Sequence, residues 1–543
     1  KSLMDAQGPG VVSLLHLGQA LEKDAWPKPP QLWILTRGAR AVTGDTHRVA
    51  AAQSPLWGFG ASVFQQEFPA LSGGLVDLDP VASATEAEAV LGLIAAPPED
   101  TQMALRQGRL WSDRLELAPQ LADGSLPARM RPDGTYLITG GRGGLGLLFA
   151  RWLIERGARR LVLAGRTPLP ERRDWHSVAP DSSVGRQLAA IRELEALGAS
   201  IHPVALDVSD EAQVRDFHAS FRREGWPAFR GIIHAAGVVQ PTRFSDQTAS
   251  RLLATMEAKL AGGWALHTVL ADEPLDFFVM CSSANALGFS TGVVDYAAAN
   301  AFLDGLAHLR RHQGQHALSV NWGAWGEVGM ASVEHVARDF ELRGIIPIPP
   351  EQGLTALERS LAHDLRQVSV LAADWQRLLT TNFTGARPPP MLQPIIDAMA
   401  AAAAAGGGQG SQGHDDVRAK LLQLTGEEER RAVVEDFMRR TVARALKLAP
   451  EQVDPHTPLQ GFGLDSIIAV ELRHHITSGL GTSPTLMELL QGASVVSLME
   501  ALLPRLPKPE EQSELDVLAA QLGELSADQA EAMLREAGGA SQA

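Results

Sequence analysis

The stretch "TYLITGGRGGLG", which runs from Thr135 to Gly146, decides the fold of the larger part of this chain. An apolar run of the strand type leads into a turn with five glycines, and the helical pattern "LLFARWLIERG" follows it. Glycines permit a tight turn and let backbone amides approach a pyrophosphate at the helix N-terminus. The flanking strand and helix therefore indicate a nucleotide site in an α/β domain. The candidate cofactor residues of the turn are Gly140, Gly141, Arg142, Gly143, Gly144, Leu145 and Gly146.

The segments around this turn repeat an alternation of strand and helix patterns. Continuous apolar strands separated by helices are typical of a parallel sheet with both faces covered. Residues 1–125 show the same alternation without a glycine-rich turn. We therefore expect two Rossmann-like halves of an α/β fold, a degenerate structural half over 1–125 and a catalytic half over 126–385. The strands predicted for the catalytic half lie at 135–141, 160–166, 201–208, 231–237, 276–283 and 317–323.

A change of composition divides the chain further. Residues 397–413 are almost purely Ala, Gly, Gln and Ser, and they follow the sequence "RPPP". This composition predicts a Pro/Ala/Gly-rich linker over 386–415, whose flexible part would span about 20–24 Å as a coil. Beyond it we expect a small helical-bundle domain over 416–505 and a helical tail over 506–543.

Composition and charge restrict the function classes. The chain is 45% hydrophobic and 20% charged, and no apolar run approaches the length of a membrane span. A net charge of −15 argues against nucleic acid as the main partner. A single cysteine, Cys281, excludes an intrachain disulfide framework and a cysteine-built zinc site, and it suits a reducing cytoplasm. The chain begins at Lys1 without a leader pattern, which predicts a segment of a longer polypeptide rather than a secreted protein.

The ends of the next two strands beyond the glycine turn bear on how a cofactor would bind. The next strand ends in Gly165 and Arg166, at the place where Asp or Glu would bind a free ribose hydroxyl. An arginine there suits a 2′-phosphate and predicts NADP(H), with Arg142 inside the turn placed to help. Asp207 and Val208 close the third strand, where adenine would lie. The alternatives are that Arg166 is a solvated loop cation and Asp207 a structural cap.

A second constellation follows the predicted strand at 276–283. Ser283, Tyr296 and Asn300 occur at steps of thirteen and four, and the last two share one helix face. A hydride delivered to a carbonyl builds charge on oxygen, so an acid must supply a proton and a donor must hold the oxygen. Tyr296 is the candidate acid and Ser283 the candidate donor. Lys259 is expected to stabilise the tyrosine phenolate, whose ordinary pKa is about 10, and Asn300 to order the lysine and a water.

Each of these assignments except one has a plausible structural alternative. Ser282 or Ser283 could cap the strand end, Asn300 could make a helix polar contact, and Lys259 could be a surface lysine. Tyr296 is harder to dismiss, because the chain contains only two tyrosines.

The motifs "TGGRGGLG" and "HAAG" and the spacing of the serine, tyrosine and asparagine resemble the ketoreductase domains of modular polyketide synthases. These domains are a branch of the short-chain dehydrogenase/reductases. Free-standing members place the lysine four residues after the tyrosine, whereas this chain has Asn300 there and the lysine upstream at Lys259. That interchange is typical of the polyketide branch. The resemblance also implies that Ala235, Ala236 and Gly237 bind the cofactor.

The resemblance covers about residues 20–380. Its N-terminal part includes "LWGFG" and "GGLVDLDP", which match the structural half of the same family. The match departs at the front, where we expect the first strands of this half to be missing.

The short stretch "GFGLDSIIAVELR" carries the remaining candidate, Ser466. Taken alone, a serine at a predicted helix start is a capping residue. Together with the reductase motifs, the stretch resembles the Gly-x-Asp-Ser motif of acyl carrier proteins, which carry 4′-phosphopantetheine on this serine. Asp465 and Glu471 would then offer an acidic face to a basic transferase or catalytic domain.

These resemblances imply a ketoreductase and acyl carrier pair that reduces a β-ketoacyl thioester to a β-hydroxyacyl thioester with NADPH. The implied partners are a phosphopantetheinyl transferase and other synthase domains, namely a ketosynthase, an acyltransferase and in some modules a dehydratase. We expect no metal, nucleic acid or membrane partner. The alternatives are a carrier segment with a silent reductase and a free-standing short-chain alcohol dehydrogenase.

The configuration of the product is the least explicit feature. Family members that give the D alcohol usually carry Leu-Asp-Asp just after the segment that matches "HAAG", and those that give the L alcohol often carry a tryptophan five residues after the catalytic serine. This chain has Val239-Gln240-Pro241 at the first position and Gly288 at the second. The absent Asp pair favours the L product.

Overall fold

A computed structural model describes the chain in two compact units, Lys1–Ala398 and Met399–Ala543. The described residues are 2–23, 26, 28–42, 47–118, 121, 128–288, 291–327, 340–382, 388–405, 417, 420–421, 424, 426, 427–446, 448–449, 452–462, 472, 476, 480, 482, 484, 489 and 493–506. Within these ranges, no helix combines the length and the apolar character that crossing a bilayer requires.

The N-terminal half of the first unit is a four-stranded sheet with helices against it. Its strands are β1 (Leu32–Arg37), β2 (Ser72–Leu78), β3 (Gln102–Arg106) and β4 (Arg109–Ser112), in the order β1-β2-β3-β4. The first three strands are parallel and β4 runs antiparallel to β3. The helices are α1 (Ser13–Lys23), α2 (Pro55–Ser62) and α3 (Glu86–Ala95), with a π-helical turn over Val63–Glu67 after α2.

The second half of this unit is a doubly wound parallel sheet. Its strands are β5 (Thr135–Thr139), β6 (Arg160–Gly165), β7 (Ser200–Ala205), β8 (Phe229–His234), β9 (Phe277–Ser283), β10 (Leu318–Trp322) and β11 (Gln367–Val370). The spatial order is β11-β10-β9-β8-β5-β6-β7, and every pair of neighbours is parallel. The strand order reverses between β5 and β8, and open sheets of this kind bind ligands at the carboxyl ends of the strands at such a point.

Five helices connect the strands from β5 to β10. They are α4 (Gly144–Glu155), α5 (Ser183–Ala196), α6 (Glu211–Arg223), α7 (Ala249–Val269) and α8 (Val294–His312). Side-chain caps fix several of their starts. Asp210, for example, accepts from the first-turn amides of α6, and Thr248 accepts from Arg251 N of α7. The α/β architecture with two Rossmann-like halves, predicted from the sequence, is confirmed.

In the N-terminal half, the backbone amides that follow β1 are hydrogen-bonded to a carboxylate of the chain itself. Gly38, directly after β1, has a φ of +64°. Gly140, the first glycine of the catalytic turn, also has a positive φ. Asp77 of β2 accepts hydrogen bonds from Ala39 N at 2.8 Å and Arg40 N at 3.0 Å. The buried guanidinium of Arg106 donates to the same carboxylate at 2.6 Å. Amides that would otherwise be free for a phosphate are therefore paired internally.

The two halves pack together through small residues on α2 and α8. A Cβ at Gly58 of α2 would lie 2.3 Å from Ala297 O and 2.9 Å from the Ala301 Cβ of α8. Further along α8, a Cβ at Gly305 would lie 2.1 Å from Ser54 Oγ. Because these contacts leave no room for larger side chains, the N-terminal half fixes the helix that carries two of the candidate site residues.

Later helices lie at Pro350–Ala362, Trp375–Asn382 and Gln393–Ala405. The last of these differs from the flexible coil predicted for the start of the alanine-rich stretch. Its run of alanines explains the difference, because alanine has the highest helix propensity of the amino acids.

The second unit contains a helical core. Helices span Glu427–Ala445 and Val495–Leu502, and the second begins with a capping box formed by Ser494 and Ser497. Leu472 and Ile476, two members of the predicted helical repeat, are fully buried in this core. Ser466, Asp465 and Glu471 lie outside the described residues, as do all residues of the predicted 506–543 tail except Leu506.

Candidate active site at the carboxyl ends of the catalytic sheet

The glycine turn after β5 has the close contacts that its sequence predicts. Gly140 has a φ of +65°, and a Cβ on it would lie 2.9 Å from Ala235 O of the neighbouring loop. A Cβ on Gly146 would lie 2.3 Å from Gly140 O, so α4 starts directly against the turn. Gly143 precedes the first residue of α4 and is exposed, as is Gly144. The turn therefore presents helix N-terminal amides to the carboxyl edge of the sheet.

Two arginines lie at the end of β6 beside this turn. The guanidinium of Arg142 packs on Gly165, where a Cβ would lie 2.6 Å from Arg142 Nη2, and it donates to Thr167 O. Its Nε is buried and has no partner among the described residues. Arg166 is exposed, and no carboxylate in the described part of the chain forms an ion pair with either arginine. Burial lowers the pKa of Arg142.

Asp207 and Val208 lie after β7 on the same side of the sheet. One carboxylate oxygen of Asp207 accepts from both the backbone N and the Oγ of Ser209, at 3.0 and 2.6 Å. Val208 is buried, and a Cβ on Gly262 of α7 would lie 2.8 Å from its Cγ2. Asp207 therefore has a structural role in this turn, in line with the alternative of a structural cap. The second carboxylate oxygen of Asp207 has no hydrogen bond in the described structure.

The loop after β8 begins with Ala235, Ala236 and Gly237 and is joined to β5 by a buried pair. Thr139 Oγ1 lies 2.7 Å from His234 Nδ1 and accepts a hydrogen bond from Ala236 N at 3.3 Å. Burial lowers the pKa of His234 to about 3, so the ring is neutral. Sequence reasoning missed this pair. The sequence signal that could have revealed the pair is a polar residue at the end of each of two apolar strands, β5 and β8.

Lys259 is buried, with 3% of its surface exposed, and the surface-lysine alternative is wrong. Its Nζ donates to Cys281 O of β9 at 2.7 Å and lies 5.5 Å from the centre of the Tyr296 ring. A Cβ on Gly237 would lie 2.8 Å from Lys259 Cε. The ammonium is therefore enclosed by β9, the loop after β8 and the tyrosine. Burial lowers the pKa of Lys259 to about 8.

Ser283 and Tyr296 meet at the end of β9. The backbone N of Asn285 donates to Ser283 Oγ at 3.3 Å, so the serine also has the capping role considered as its alternative. Burial raises the pKa of Tyr296, whereas the Asn300 and Ser283 side chains beside it lower the pKa. The net direction is opposite to the stabilised phenolate that the sequence predicted, because burial outweighs the hydrogen bonds of the Asn300 and Ser283 side chains. A tyrosine with a raised pKa remains protonated at neutral pH, which is the state of a proton donor.

Asn300 lies one turn after Tyr296 on α8 and is fully buried. Its Nδ2 donates to Tyr296 O at 2.7 Å, which is the helix polar contact named as its alternative. Its Oδ1 is buried and has no partner among the described residues. Buried acceptors without a protein partner are commonly satisfied by an ordered water.

A buried polar network below the tyrosine was not anticipated from the sequence. Ser282 Oγ donates to Asn300 O at 3.2 Å and accepts from Asn321 Nδ2 at 3.0 Å. Asn321 also donates to Asp304 Oδ2 at 2.8 Å. Burial raises the pKa of Asp304. The network joins α8 to β9 and β10, and it fixes the rotation of α8 that brings Tyr296 to the end of β9.

Comparison with known families agrees with this arrangement. Residues 134–327 match the KR domain, residues 436–502 match the phosphopantetheine attachment site, and residues 4–115 match the Rossmann fold domain of the polyketide synthase extender module SpnB. The chain therefore contains a ketoreductase domain followed by a carrier domain.

Curated relatives of the chain include polyketide synthases of bacteria and fungi. The chain is 34% identical over 490 residues to a phenolphthiocerol/phthiocerol polyketide synthase of Mycobacterium tuberculosis (strain CDC 1551 / Oshkosh), which covers 89% of this chain and 24% of that protein. It is 33% identical over 475 residues to 6-methylsalicylic acid synthase of Aspergillus terreus (strain NIH 2624 / FGSC A1156), covering 84% of this chain and 25% of that one. The chain spans about a quarter of the length of these relatives.

Solved ketoreductases have the same fold. The structure of an A1-type ketoreductase is 35% identical with a TM-score of 0.62, and the match covers 72% of this chain and 78% of that one. The ketoreductase from the first module of phoslactomycin biosynthesis in Streptomyces sp. HK803 is 33% identical with a TM-score of 0.61, covering 70% and 84%. The chain therefore belongs to the ketoreductases of polyketide synthases, with a carrier domain after the reductase domain.

Proposed function

We propose that this chain reduces a β-ketoacyl thioester to a β-hydroxyacyl thioester with NADPH, while the acyl chain is tethered through phosphopantetheine on Ser466. One observation carries the proposal. The buried ammonium of Lys259 lies 5.5 Å from the Tyr296 ring, and Ser283 lies beside that tyrosine. The loop after β8, which packs on Lys259 at Gly237, contacts Gly140 of the glycine turn at Ala235. An acid, an oxygen-binding donor and a cation thus meet where the sheet would hold a nucleotide.

The residues around the turn fit NADPH. Gly140 and Gly146 allow the tight turn, because a Cβ at either position would clash with neighbouring backbone, and Gly143 leaves the N-terminus of α4 open to a pyrophosphate. Arg142, with its unpartnered buried Nε, and the exposed Arg166 would hold the 2′-phosphate. Asp207 and Val208 would border the adenine, and Ala235–Gly237 would line the nicotinamide side. When bound, NADPH supplies the hydride that the β-carbon accepts.

The side chains of the site would handle the proton and the oxygen. Ser283 Oγ donates a hydrogen bond to the β-carbonyl oxygen as charge builds on it. Tyr296 then gives its phenolic proton to that oxygen, which completes the alcohol. Lys259 stabilises the phenolate left behind, and a water on Asn300 Oδ1 would connect the lysine to solvent for reprotonation.

The carrier domain would deliver the substrate. The match to a phosphopantetheine attachment site and the Gly-x-Asp-Ser sequence support Ser466 as the attachment point. This role implies a phosphopantetheinyl transferase as a partner. It also implies that ketosynthase, acyltransferase and, in some modules, dehydratase domains share the same tethered chain.

The L configuration of the hydroxyl group remains part of the proposal. The positions that carry the Asp pair in the D-type pattern are Val239, Gln240 and Pro241, and Gly288 provides no tryptophan. Without those carboxylates, the phosphopantetheine arm would enter from the side away from 239–241.

The experiment compares NADPH oxidation by the full chain and by Tyr296→Phe with a short β-ketoacyl thioester. We expect turnover by the variant to fall about 10²–10⁴-fold while its NADPH affinity stays within twofold, because only the acid is removed. Tyr136→Phe is the matched control, since Tyr136 is the second residue of β5 and lies at the end of the sheet opposite the site. Wild-type turnover by Tyr296→Phe would overturn the assignment.

The same assay separates the rival functions. A silent reductase would bind carrier-linked substrate without oxidising NADPH. A free-standing alcohol dehydrogenase would prefer small ketones to thioesters, and its turnover would not depend on the β-ketoacyl group.

A further inference from the structure

Two backbone segments of the catalytic half lie beside Lys259 and Tyr296. The first is the β8 loop, defined here as residues 235–248, which begins against Lys259. The second is the α8 lead, residues 291–293, which directly precedes the helix with Tyr296. Thr242 N of the β8 loop donates to Gly292 O of the α8 lead at 2.9 Å. This hydrogen bond fixes the distance between the two segments.

A carboxylate from the other half of the unit holds the same glycine. Glu67, the last residue of the π-helical turn after α2, accepts a hydrogen bond from Gly292 N at 2.6 Å. Gly292 has a φ of +71°, a conformation that other residues rarely adopt. The N–H and C=O of one glycine therefore bond to Glu67 and to Thr242. Through Gly292, Glu67 therefore helps to fix the position of the β8 loop as well as that of the α8 lead.

A second contact from the N-terminal half reaches the β8 loop independently. Gln19 of α1 donates from Nε2 to Phe244 O at 2.9 Å and to Gln247 O at 2.8 Å. The Phe244 ring packs on Phe68, the neighbour of Glu67, with ring centres 5.5 Å apart. The contacts of Gln19 are side chain to backbone, so they specify where the main chain of the loop runs rather than only burying apolar surface.

The catalytic residues do not need Glu67 for their own contacts. Lys259 donates to Cys281 O of β9, Asn300 of α8 donates to Tyr296 O, and Asn321 of the polar network donates to Ser283 O. Glu67 instead holds the two backbone segments beside Lys259 and Tyr296, through the hydrogen bonds at Gly292. Burial raises the pKa of Glu67, and the hydrogen bond from Gly292 opposes that shift.

We propose that Glu67 is a positioning residue of the degenerate half that sets the orientation of the acyl thioester: it holds Gly292, and through Gly292 it holds Thr242, at the entrance beside Tyr296. The inference rests on the proposed function. It assigns to the degenerate half a role in substrate selectivity, and it predicts that this role is separable from cofactor binding and from the proton transfer.

The test compares Glu67→Ala and Glu67→Gln in the full chain, with a β-ketoacyl thioester and chiral chromatography of the product. We expect Glu67→Ala to raise KM for the thioester about tenfold and to lower the ratio of the two hydroxyl configurations about tenfold, as for the loss of one charged hydrogen bond. The NADPH dissociation constant and kcat should stay within twofold. Glu67→Gln keeps an acceptor oxygen and should recover most of the KM and of the ratio.

Glu22→Ala is the matched control, because Glu22 is an exposed carboxylate of α1 near Glu67. It should leave KM and the ratio unchanged. If Glu67→Ala does not fold, Gln19→Ala tests the second contact and should also lower the ratio. A lower unfolding temperature with an unchanged KM and ratio in the folded variants would overturn the proposal. Absence of reduction by the wild-type chain would instead overturn the proposed function.

Discussion

At the scale of single residues, the burial of Lys259 determines the pH range over which its side chain carries a positive charge. Its ammonium is almost fully enclosed, and burial lowers its pKa from 10.5 to about 8 although Cys281 and Asp304 nearby raise it. The charged form is therefore present below about pH 8 and is lost as the pH rises through that value. The charge that would stabilise the tyrosine phenolate disappears with it.

We therefore predict that kcat for ketoreduction falls as the pH rises past about 8. The thiol of Cys281 does not titrate in this range, because burial raises its pKa to about 11. The measurement is the pH dependence of kcat for the wild type and for Lys259→Met. The variant should be slower at all pH values and should lose the step near pH 8. If the step persists in the variant, another group is responsible.

Arg166 supports a second prediction at this scale. Replacing it with Ala removes a charge partner of the 2′-phosphate and should weaken NADPH binding about 10–100-fold, while NADH binding stays within twofold. Arg173→Ala is a suitable control, since Arg173 is an exposed arginine that pairs with Glu171 away from the turn. Binding is measured by fluorescence titration with each cofactor. An equal loss for both cofactors would place Arg166 away from the phosphate.

The candidate residues were predictable from the sequence to different degrees. The spacing of Ser283, Tyr296 and Asn300 is visible directly, because all three follow one strand and helix. Lys259 was predicted from the need for a cation beside the tyrosine, but a surface lysine remained an alternative, since almost forty residues of chain separate it from the tyrosine. The pair Thr139 and His234 was missed because its partners lie on strands whose register cannot be read from one sequence.

At the scale of helices and strands, the contact between α2 and α8 connects the degenerate half with the site. Gly58 allows the backbones to approach so closely that an added Cβ would lie 2.3 Å from Ala297 O, in the residue that follows Tyr296. Overpacking at such a contact forces backbone shifts that typically cost about 1–3 kcal/mol.

We predict that Gly58→Ala lowers the free energy of unfolding by about 1–3 kcal/mol and also lowers kcat, because the shift of α8 moves Tyr296. Gly92→Ala is the matched control. Gly92 lies in α3 with nothing within 4 Å of an added Cβ, so alanine should stabilise the chain by about 0.5–1 kcal/mol and leave kcat unchanged. Urea unfolding and NADPH oxidation measure the two effects. Equal stability changes for the two variants would contradict the close contact.

Most regular elements of the catalytic half were predictable because their strands are long apolar runs between helices. Three strands were missed, β3, β4 and β11, which span only four or five residues and contain several polar ones. The helix over Gln393–Ala405 was also missed, because low-complexity composition and high helix propensity predict opposite structures for an alanine run.

At the scale of the whole chain, the two compact units contain two different kinds of domain. The first contains the reductase site, and the second matches a phosphopantetheine attachment site. The division itself was predictable from the composition shift near residue 400. The internal pairing of Asp77 with the amides after β1 was not, although it explains why only one of the two similar halves has an open turn.

The most direct test of the account follows one acyl chain through both units. The full chain is loaded with a β-ketoacyl group by a phosphopantetheinyl transferase and the corresponding coenzyme A thioester, and its intact mass is measured before and after NADPH is added. We predict a gain of two hydrogen atoms on the loaded wild type, loading without that gain for Tyr296→Phe, and no loading for Ser466→Ala. A loaded wild-type chain whose mass does not change with NADPH, or a Tyr296→Phe chain that gains the two hydrogens, would contradict the account.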